Sequence, residues 1–447
     1  MKTFDTLIRG ATMITSGSTR RVVRDAAIGI RDGRFAWVGA IVDLPADAIA
    51  TDTLNLPGRV CLPGFINVHT HAILTMVRGV AEDMGFAPAY TPGVPHGHDV
   101  TPDEAVAMAR LGAVKALLFG STLINDSYVH ADRTVEPMAA LGLRVVTCGR
   151  IHDADFSLIG DGRWEHHDTI GDTTLQAAVD LAEAWHGRAN GRINVQLAAH
   201  APDTCSDALL RRIGVTARQL RLRVNTHLSQ SAAENAQIRR RANRTPTELL
   251  DEVGLLNDHL IAAHCIHVTT DDIARIGRAK LNVAHVPKGN ATGGTRAPTT
   301  ALRAAGANIA LGTDNMHADM IEVMRWALAI ARIQEGRVDD AWQPWDALEM
   351  ASINGARAMG LDQDIGAIEV GKKADVVVID ARRPHLTPHV NLLGSVVHCA
   401  QGLDVEHVFV DGRQVVASGR PTQVDLDSVL ADAQAAADAL WRRARAT

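Results

Sequence analysis

Short apolar runs separated by turn residues mark both ends of the chain, and a different rhythm fills its middle. Between Phe4 and Leu62 the runs at residues 6–8, 26–31 and 34–38 have strand length and β-rich composition. Asp32-Gly33 joins the last two and is a hairpin signal, because these residue types tolerate the positive φ of a two-residue turn. The same style returns at residues 374–380 and 405–410, then Asp411-Gly412 and residues 414–416. Two such terminal segments enclosing a different middle predict one small β-sandwich domain built from both ends. The Ala/Leu-rich stretch at residues 425–445 predicts a closing helix.

In the middle, helical stretches alternate with apolar runs at residues 143–147, 194–199, 223–226, 260–263, 281–284 and 308–311. Alternation of this kind builds repeated βα units around a parallel sheet, and six to eight units close naturally into a barrel. The expected architecture is therefore an α/β fold, a (β/α)8 TIM barrel over residues 63–361. Residues 1–62 and 362–420 supply the composite β-sandwich, and 421–447 the C-terminal helix.

Chemistry in such a barrel sits where the strands end, so the residues that follow each apolar run carry the functional information. The first strand, through Phe65-Ile66-Asn67-Val68, runs into His69-Thr70-His71. Residues two apart in an extended segment point the same way, so both imidazoles can face one metal. Later runs end in His200, His227, His264, His285 and, after Gly312-Thr313, Asp314. One strand-end histidine is ordinarily a satisfied core group, but six junctions bearing His or Asp point to a metal rim. Three neutral imidazoles and one carboxylate leave an open position for water and suit Zn²⁺, with Fe²⁺, Mn²⁺ or Co²⁺ tolerable.

Bulk composition narrows the partners. The 447 residues are 46% hydrophobic and 21% charged with a net charge of -6, which offers no basic face for nucleic acid and leaves a small molecule as the expected substrate. No stretch reaches the roughly 18 uncharged apolar residues of a membrane span, and residues 1–10 lack a signal-peptide core. Five widely spaced cysteines without a CxxC pair read as small buried hydrophobes in a reducing compartment, so a cytoplasmic protein is expected. Twenty histidines add supply but no assignment.

The segments Leu62-Pro63-Gly64-Phe65-Ile66-Asn67-Val68-His69-Thr70-His71, His200-Ala201-Pro202-Asp203-Thr204-Cys205-Ser206, Ala263-His264-Cys265-Ile266-His267, His285-Val286-Pro287-Lys288-Gly289-Asn290 and Leu311-Gly312-Thr313-Asp314 resemble successive motifs of the amidohydrolase superfamily. The branch they resemble contains S-adenosylhomocysteine and cytosine deaminases and the triazine hydrolases, including atrazine chlorohydrolase. Gly366-Ala367-Ile368-Glu369-Val370-Gly371-Lys372-Lys373-Ala374-Asp375 resembles that family's return into its sheet domain. The resemblance spans nearly the whole chain. It implies that His69, His71, His227 and Asp314 bind one divalent metal. His264 would hydrogen-bond the attacking water or the polarised substrate atom, Asp314 would accept the water proton, and His200 and His285 would line the substrate pocket. A homodimer or larger assembly is also implied.

One position departs from the branch. Its third metal histidine is normally followed by HxxE, and here the run is His227-Leu228-Ser229-Gln230. A neutral amide cannot shuttle a proton. Either Gln230 orients the substrate while Asp314 and His264 move the protons, or Glu234, one helical turn on, substitutes. Residues 78–98, rich in Gly and Pro, are expected to form a lid in which Glu82, Asp83, Tyr90 and His96 are candidate specificity residues. Asn290 is a candidate substrate contact, and His317 reaches the pocket or lies on the following helix. Lys288-Gly289-Asn290-Ala291-Thr292-Gly293-Gly294 lacks a GK[ST] ending and reads as a barrel-rim loop, not a phosphate cradle. Arg239-Arg240-Arg241 reads as a solvated helix face.

The expected activity is water attack on an sp² carbon of a purine, pyrimidine, pterin or s-triazine, expelling an amine or chloride. The alternatives are hydrolysis of an acyclic amide, urea or (thio)carbamate, which Gln230 favours, and a non-catalytic scaffold on the same fold.

Overall fold

The computed structural model describes residues 3–84, 94–314 and 317–445. Eight parallel strands form a barrel: β1 Phe65–Thr70, β2 Ser121–Tyr128, β3 Arg144–Ile151, β4 Leu197–Ala199, β5 Val224–Leu228, β6 Leu260–His264, β7 Asn282–His285 and β8 Asn308–Leu311. They are hydrogen-bonded in sequence order, and the piece Ile193–Val195 extends β4 along β3 before Gln196 interrupts it. All eight residues of β2 are buried, although Asn125, Asp126 and Ser127 are polar. Hydropathy alone therefore does not reveal this strand, and the sequence pattern above omits it.

The seam between β8 and β1 decides where the site forms. At the C-terminal rim the two strands meet directly: Asp314 N–H donates to His69 O at 2.9 Å, and Thr70 Oγ1 donates to Asp314 O at 2.9 Å. Gly312 permits this approach, since a Cβ there would stand 2.8 Å from His69 Cβ. Lower down, the helix Ile353–Met359 wedges in: Ile66 N–H donates to Ala351 O, and Asn354 Nδ2 donates to Ile309 O. Ile353, Ala356 and Met359 fill the barrel floor beneath Ile66, Val68 and Ala310.

Both chain ends combine in one nine-stranded mixed sheet. Its order runs from Arg420–Pro421 through Arg413–Ala417, Val405–Val410, Val376–Asp380 and Arg59–Pro63 to Thr3–Ile14, Val22–Arg31 and Arg34–Ala40, with Ile49–Asn55 added on Thr3–Ile14. Ile28, Ile30 and Phe35 from one arm pack with Val376, Val378 and Phe409 from the other. Both Asp-Gly pairs have positive φ throughout, at 50° and 73° for Asp32-Gly33 and 48° and 74° for Asp411-Gly412. The two turns touch, for a Cβ on Gly33 would lie 2.8 Å from Asp411 O.

The closing helix, Leu426–Ala444, packs on the helix Pro102–Leu118, and Trp441 Nε1 donates to Met76 O at 2.9 Å. Two expectations need correction. Arg241 is not solvated: its Nη2 donates to Pro202 O, Cys205 O and Asp207 Oδ1 at 2.9–3.0 Å, clamping the loop after β4, while Arg239 and Arg240 are exposed. Cys399, at the end of the helix Leu392–Cys399, is exposed, whereas the other four cysteines are buried. Among the described residues no helix is long and apolar enough to cross a membrane.

Candidate metal centre

The histidines arrive at the barrel mouth because each terminates or follows a strand whose register is fixed by its neighbours. His69 lies on β1 and His71 just beyond it, two residues apart and therefore on one side. His227 lies on β5 beside His264, the last residue of β6, with its pairing partner Leu228 between. Asp314 follows β8 and bridges back to Thr70. The backbone is in the left-handed region at His264 (φ 73°) and Asp314 (φ 61°). At His264, Cys265 N–H donates to Ala263 O at 3.1 Å, which closes a γ-turn of the strained, positive-φ kind. Strain at the two rim residues aims both side chains inward.

His71 Nδ1–H donates to Ser127 O, and His227 Nδ1–H donates to His200 O at 2.6 Å. A carbonyl only accepts, so both rings carry their proton on Nδ1 and present a bare Nε2. Those two bare nitrogens stand 3.3 Å apart, a repulsive arrangement for two lone pairs unless a cation lies between them. Asp314 Oδ1 is 3.4 Å from His71 Nε2 and 3.5 Å from His69 Nε2, and the latter nitrogen is buried without a hydrogen-bond partner among the described residues. A tetrahedron with Zn–N bonds of ~2.0–2.1 Å has edges of about 3.3–3.4 Å, so the spacing fits a first-row divalent ion. The donor atoms of His69, His71 and His227 all lie within 4.8 Å of one another, as do those of His69, His264 and Asp314.

The electrostatics agree. Burial, then the neighbouring His69, pushes the His71 imidazolium down to about 3, and burial with the same cluster pushes His227 well below its ordinary value. Both rings are the neutral ligands a metal requires. Burial alone would raise Asp314, but the adjacent His69, His264 and His71 rings hold it well below the usual carboxylate range. It is therefore ionised at neutral pH, the form in which it attracts a cation.

Beside these ligands opens a cavity of about 220 Å³. Glu82, Gln230, His264, Asn290, Asp314 and His317 all line it, so His317 faces the pocket and the 288–294 segment forms part of its rim. Asn290 Oδ1 lies 2.9 Å from His264 Nδ1. Other expected residues lie elsewhere. His285 is fully buried behind the rim, 3.4 Å from Thr299 Oγ1, and burial pushes it down to about 3. His200 lies against His227 with ring centroids 5.1 Å apart and planes tilted by 52°, its Nδ1 2.9 Å from Thr204 Oγ1. Asp83 is exposed, His96 faces Asp99 near the surface, and Tyr90 is outside the described residues. Glu234 does not line this cavity: its two oxygens accept from Ser229 N–H and Gln230 N–H at 2.8 and 2.7 Å. It holds the turn that presents Gln230. Burial, then the Asp203 carboxylate, pushes Glu234 well above the carboxylate range.

Sequence reasoning missed Ser127 and the carbonyl of His200 as the groups that orient ligands. Backbone oxygens leave no residue-type signal. Glu234, four residues after Gln230 and three after the helix cap Ser231, could have been found as a capping pattern.

A (β/α)8 barrel whose rim clusters His69, His71, His227, His264 and Asp314, with groups able to hold a divalent ion, has the architecture of a metal-dependent hydrolase. The amidohydrolase family model matches residues 60–415, and the chain belongs to that family; with its deaminase relatives this makes it a hydrolase acting on carbon–nitrogen bonds other than peptide bonds. A 5-methylthioadenosine/S-adenosylhomocysteine deaminase from Moorella thermoacetica is 34% identical, over 92% of this chain and 94% of its own. A 5'-deoxyadenosine deaminase from Methanosarcina acetivorans is 29% identical over 99% of this chain and 100% of its own. Among solved structures, an adenosine deaminase from Xanthomonas campestris with bound zinc superposes with a TM-score of 0.86 at 26% identity, covering 98% of this chain and 99% of that one. Atrazine chlorohydrolase from Arthrobacter aurescens, in complex with zinc, shares the fold at a TM-score of 0.85 and 21% identity, covering 97% and 100%.

Proposed function

We propose that this protein uses zinc, held by His69, His71, His227 and Asp314, to hydrolyse an exocyclic carbon–nitrogen or carbon–chlorine bond of a purine-like or triazine-like heterocycle. The observation that carries the reading is a cavity lined by Asp314, His264 and Gln230, so that it reaches the donor cluster of His69, His71, His227 and Asp314 through Asp314. The names of the relatives, all deaminases of adenosine-derived compounds among those just described, support the same substrate class.

A divalent cation in this position would supply Lewis acidity and make water nucleophilic at neutral pH. Asp314, ionised, takes the proton that the water loses and returns it to the departing group. His264 stands 3.8 Å from Asp314 Oδ2 on the other side of the reacting space. Gln230 orients the ring by hydrogen bonds without exchanging a proton. Its neutrality favours leaving groups that need little protonation, and it is the specific observation behind a second reading, hydrolysis of an acyclic urea, amide or carbamate.

The test is a panel of adenosine-type nucleosides, amino- and chloro-triazines and aryl ureas offered to the zinc-loaded protein, with ammonia, chloride and organic amine measured separately. Ammonia or chloride from ring compounds alone is expected. Turnover confined to ureas or amides would establish the second reading, and no turnover with stoichiometric zinc would leave a scaffold. We also propose self-association, supported by the exposed Trp326 and Ile333 on the helix Met320–Glu335, and light scattering at monomer mass would refute it.

A further inference from the structure

Two of the rim imidazoles, His71 and His227, have their tautomer dictated by a backbone carbonyl, but His264 does not. At His264 the partner of Nδ1 is the side chain of Asn290, an amide that can either accept or donate. The two orientations give His264 opposite chemistry. With Oδ1 toward the ring, Nδ1 carries the proton and Nε2 is an acceptor. With Nδ2 toward the ring, Nε2 carries the proton and becomes a donor.

Several observations favour the first orientation. Oδ1 is the amide atom at 2.9 Å from His264 Nδ1. The Asn290 backbone is fixed, its main-chain N–H donating to Val286 O and its main-chain carbonyl accepting from Thr295 N–H and Thr295 Oγ1, so the side chain is offered to the ring from a constant position. The ring is equally constrained by the γ-turn at φ 73°. Both residues are buried, and among the described residues His264 Nε2 has no hydrogen-bond partner, although it faces Asp314 Oδ2 at 3.8 Å. A water that donates to two acceptors at ~2.8 Å each separates them by roughly 4–4.5 Å, close to the observed spacing. The same arrangement, Nδ1–H outward and bare Nε2 inward, holds at His71 and His227.

We infer that Asn290 is a positioning residue that holds His264 in the Nδ1–H tautomer, so that His264 Nε2 accepts a hydrogen bond from the nucleophilic water and does not donate to the substrate. This assigns Asn290 a task other than the substrate contact expected from its sequence position, and it rests on the hydrolytic reading given above. The water then has a proper acceptor for each O–H: Asp314 takes one proton, and His264 holds the other without removing it. Its lone pair is left directed at the substrate carbon.

The experiment is ¹⁵N NMR of the zinc-loaded protein labelled at histidine rings, with His264 assigned by its loss in His264→Gln. A protonated Nδ1 and an unprotonated Nε2 at His264 are expected. Asn290→Leu should abolish that preference and lower kcat about 10–100-fold with KM and zinc content unchanged, the usual cost of losing an orienting partner. Asn290→Asp, whose carboxylate also accepts from Nδ1–H, should keep the tautomer and restore most of kcat. A wild-type spectrum with the proton on Nε2 would overturn the assignment. So would an Asn290→Leu variant that raises KM alone. The wild-type spectrum needs no substrate, so an inactive protein with the expected tautomer would count against the proposed function and not against this inference.

Discussion

His71 and His227 carry the most chemistry per atom in the site, because both spend Nδ1–H on a carbonyl and bring bare nitrogens to 3.3 Å. Removing one of them leaves a three-donor set and a cavity with no counterpart for the remaining lone pairs. His227→Ala is therefore expected to lose both zinc, read by mass spectrometry, and turnover. Gln230 makes a different prediction, since it touches the cavity but not the donor cluster. Gln230→Glu should retain zinc and gain ammonia-releasing activity on aminopurines, because the carboxylate restores a proton carrier. Gln230→Ala with every rate unchanged would remove its orienting role. These residues were legible from their position after apolar runs. His317 became a cavity residue only when the chain beyond Asp314 was placed.

At the scale of the element, the turn after β5 shows how a rim is made rigid. Ser229, at φ 47°, has its carbonyl held by Ile266 N–H and His267 N–H, and its own N–H by Glu234. Glu234→Ala would leave two buried N–H groups without acceptors, at about 1–3 kcal/mol each. A drop in melting temperature is expected together with a lower kcat at full zinc content, because Gln230 loses its support. Lost activity without lost stability would instead indicate that Glu234 acts on substrate. The missed strand β2 belongs to this scale as well. Asn125 shares the interior face with Leu123 and donates from Nδ2 to Val68 O at 3.0 Å, while the adjacent Asp126 accepts at Oδ1 from Ala72 N–H at 2.6 Å. Burial pushes that carboxyl up to about 6.

For the whole molecule, Arg144 couples the barrel to the sheet. It starts β3, is 1% exposed, and donates to both Asp375 oxygens at 3.2 Å and to Asp411 at 2.6 Å. Arg144→Met should cost about 3–5 kcal/mol, since it strands a buried carboxylate, and calorimetry would read the loss. The closing helix is tied down by Arg443, whose two nitrogens sit 2.6 Å from the Glu104 oxygens. Arg443 holds Glu104 below the ordinary carboxylate range, against burial and helped by Thr101 N–H. A depressed carboxyl stabilises the folded form above its unfolded pKa of about 4.3 and loses that contribution as pH falls toward its folded value. Protection factors for amide exchange in residues 426–444 should thus fall on acidification below about pH 4.3, and Arg443→Ala should weaken that dependence.

The order of apolar runs, the Asp-Gly turns and the His and Asp residues after each strand were enough to determine a barrel, its terminal sheet and a metal-ligating rim, because strand periodicity and positive-φ turns are local properties of residue type. Which nitrogen of each imidazole faces inward, whether Glu234 or Gln230 meets the cavity, and that Arg241 is a clamp were decided only by tertiary structure. Each depends on a partner from another strand or loop, often a backbone carbonyl, and such partners have no signature in the sequence.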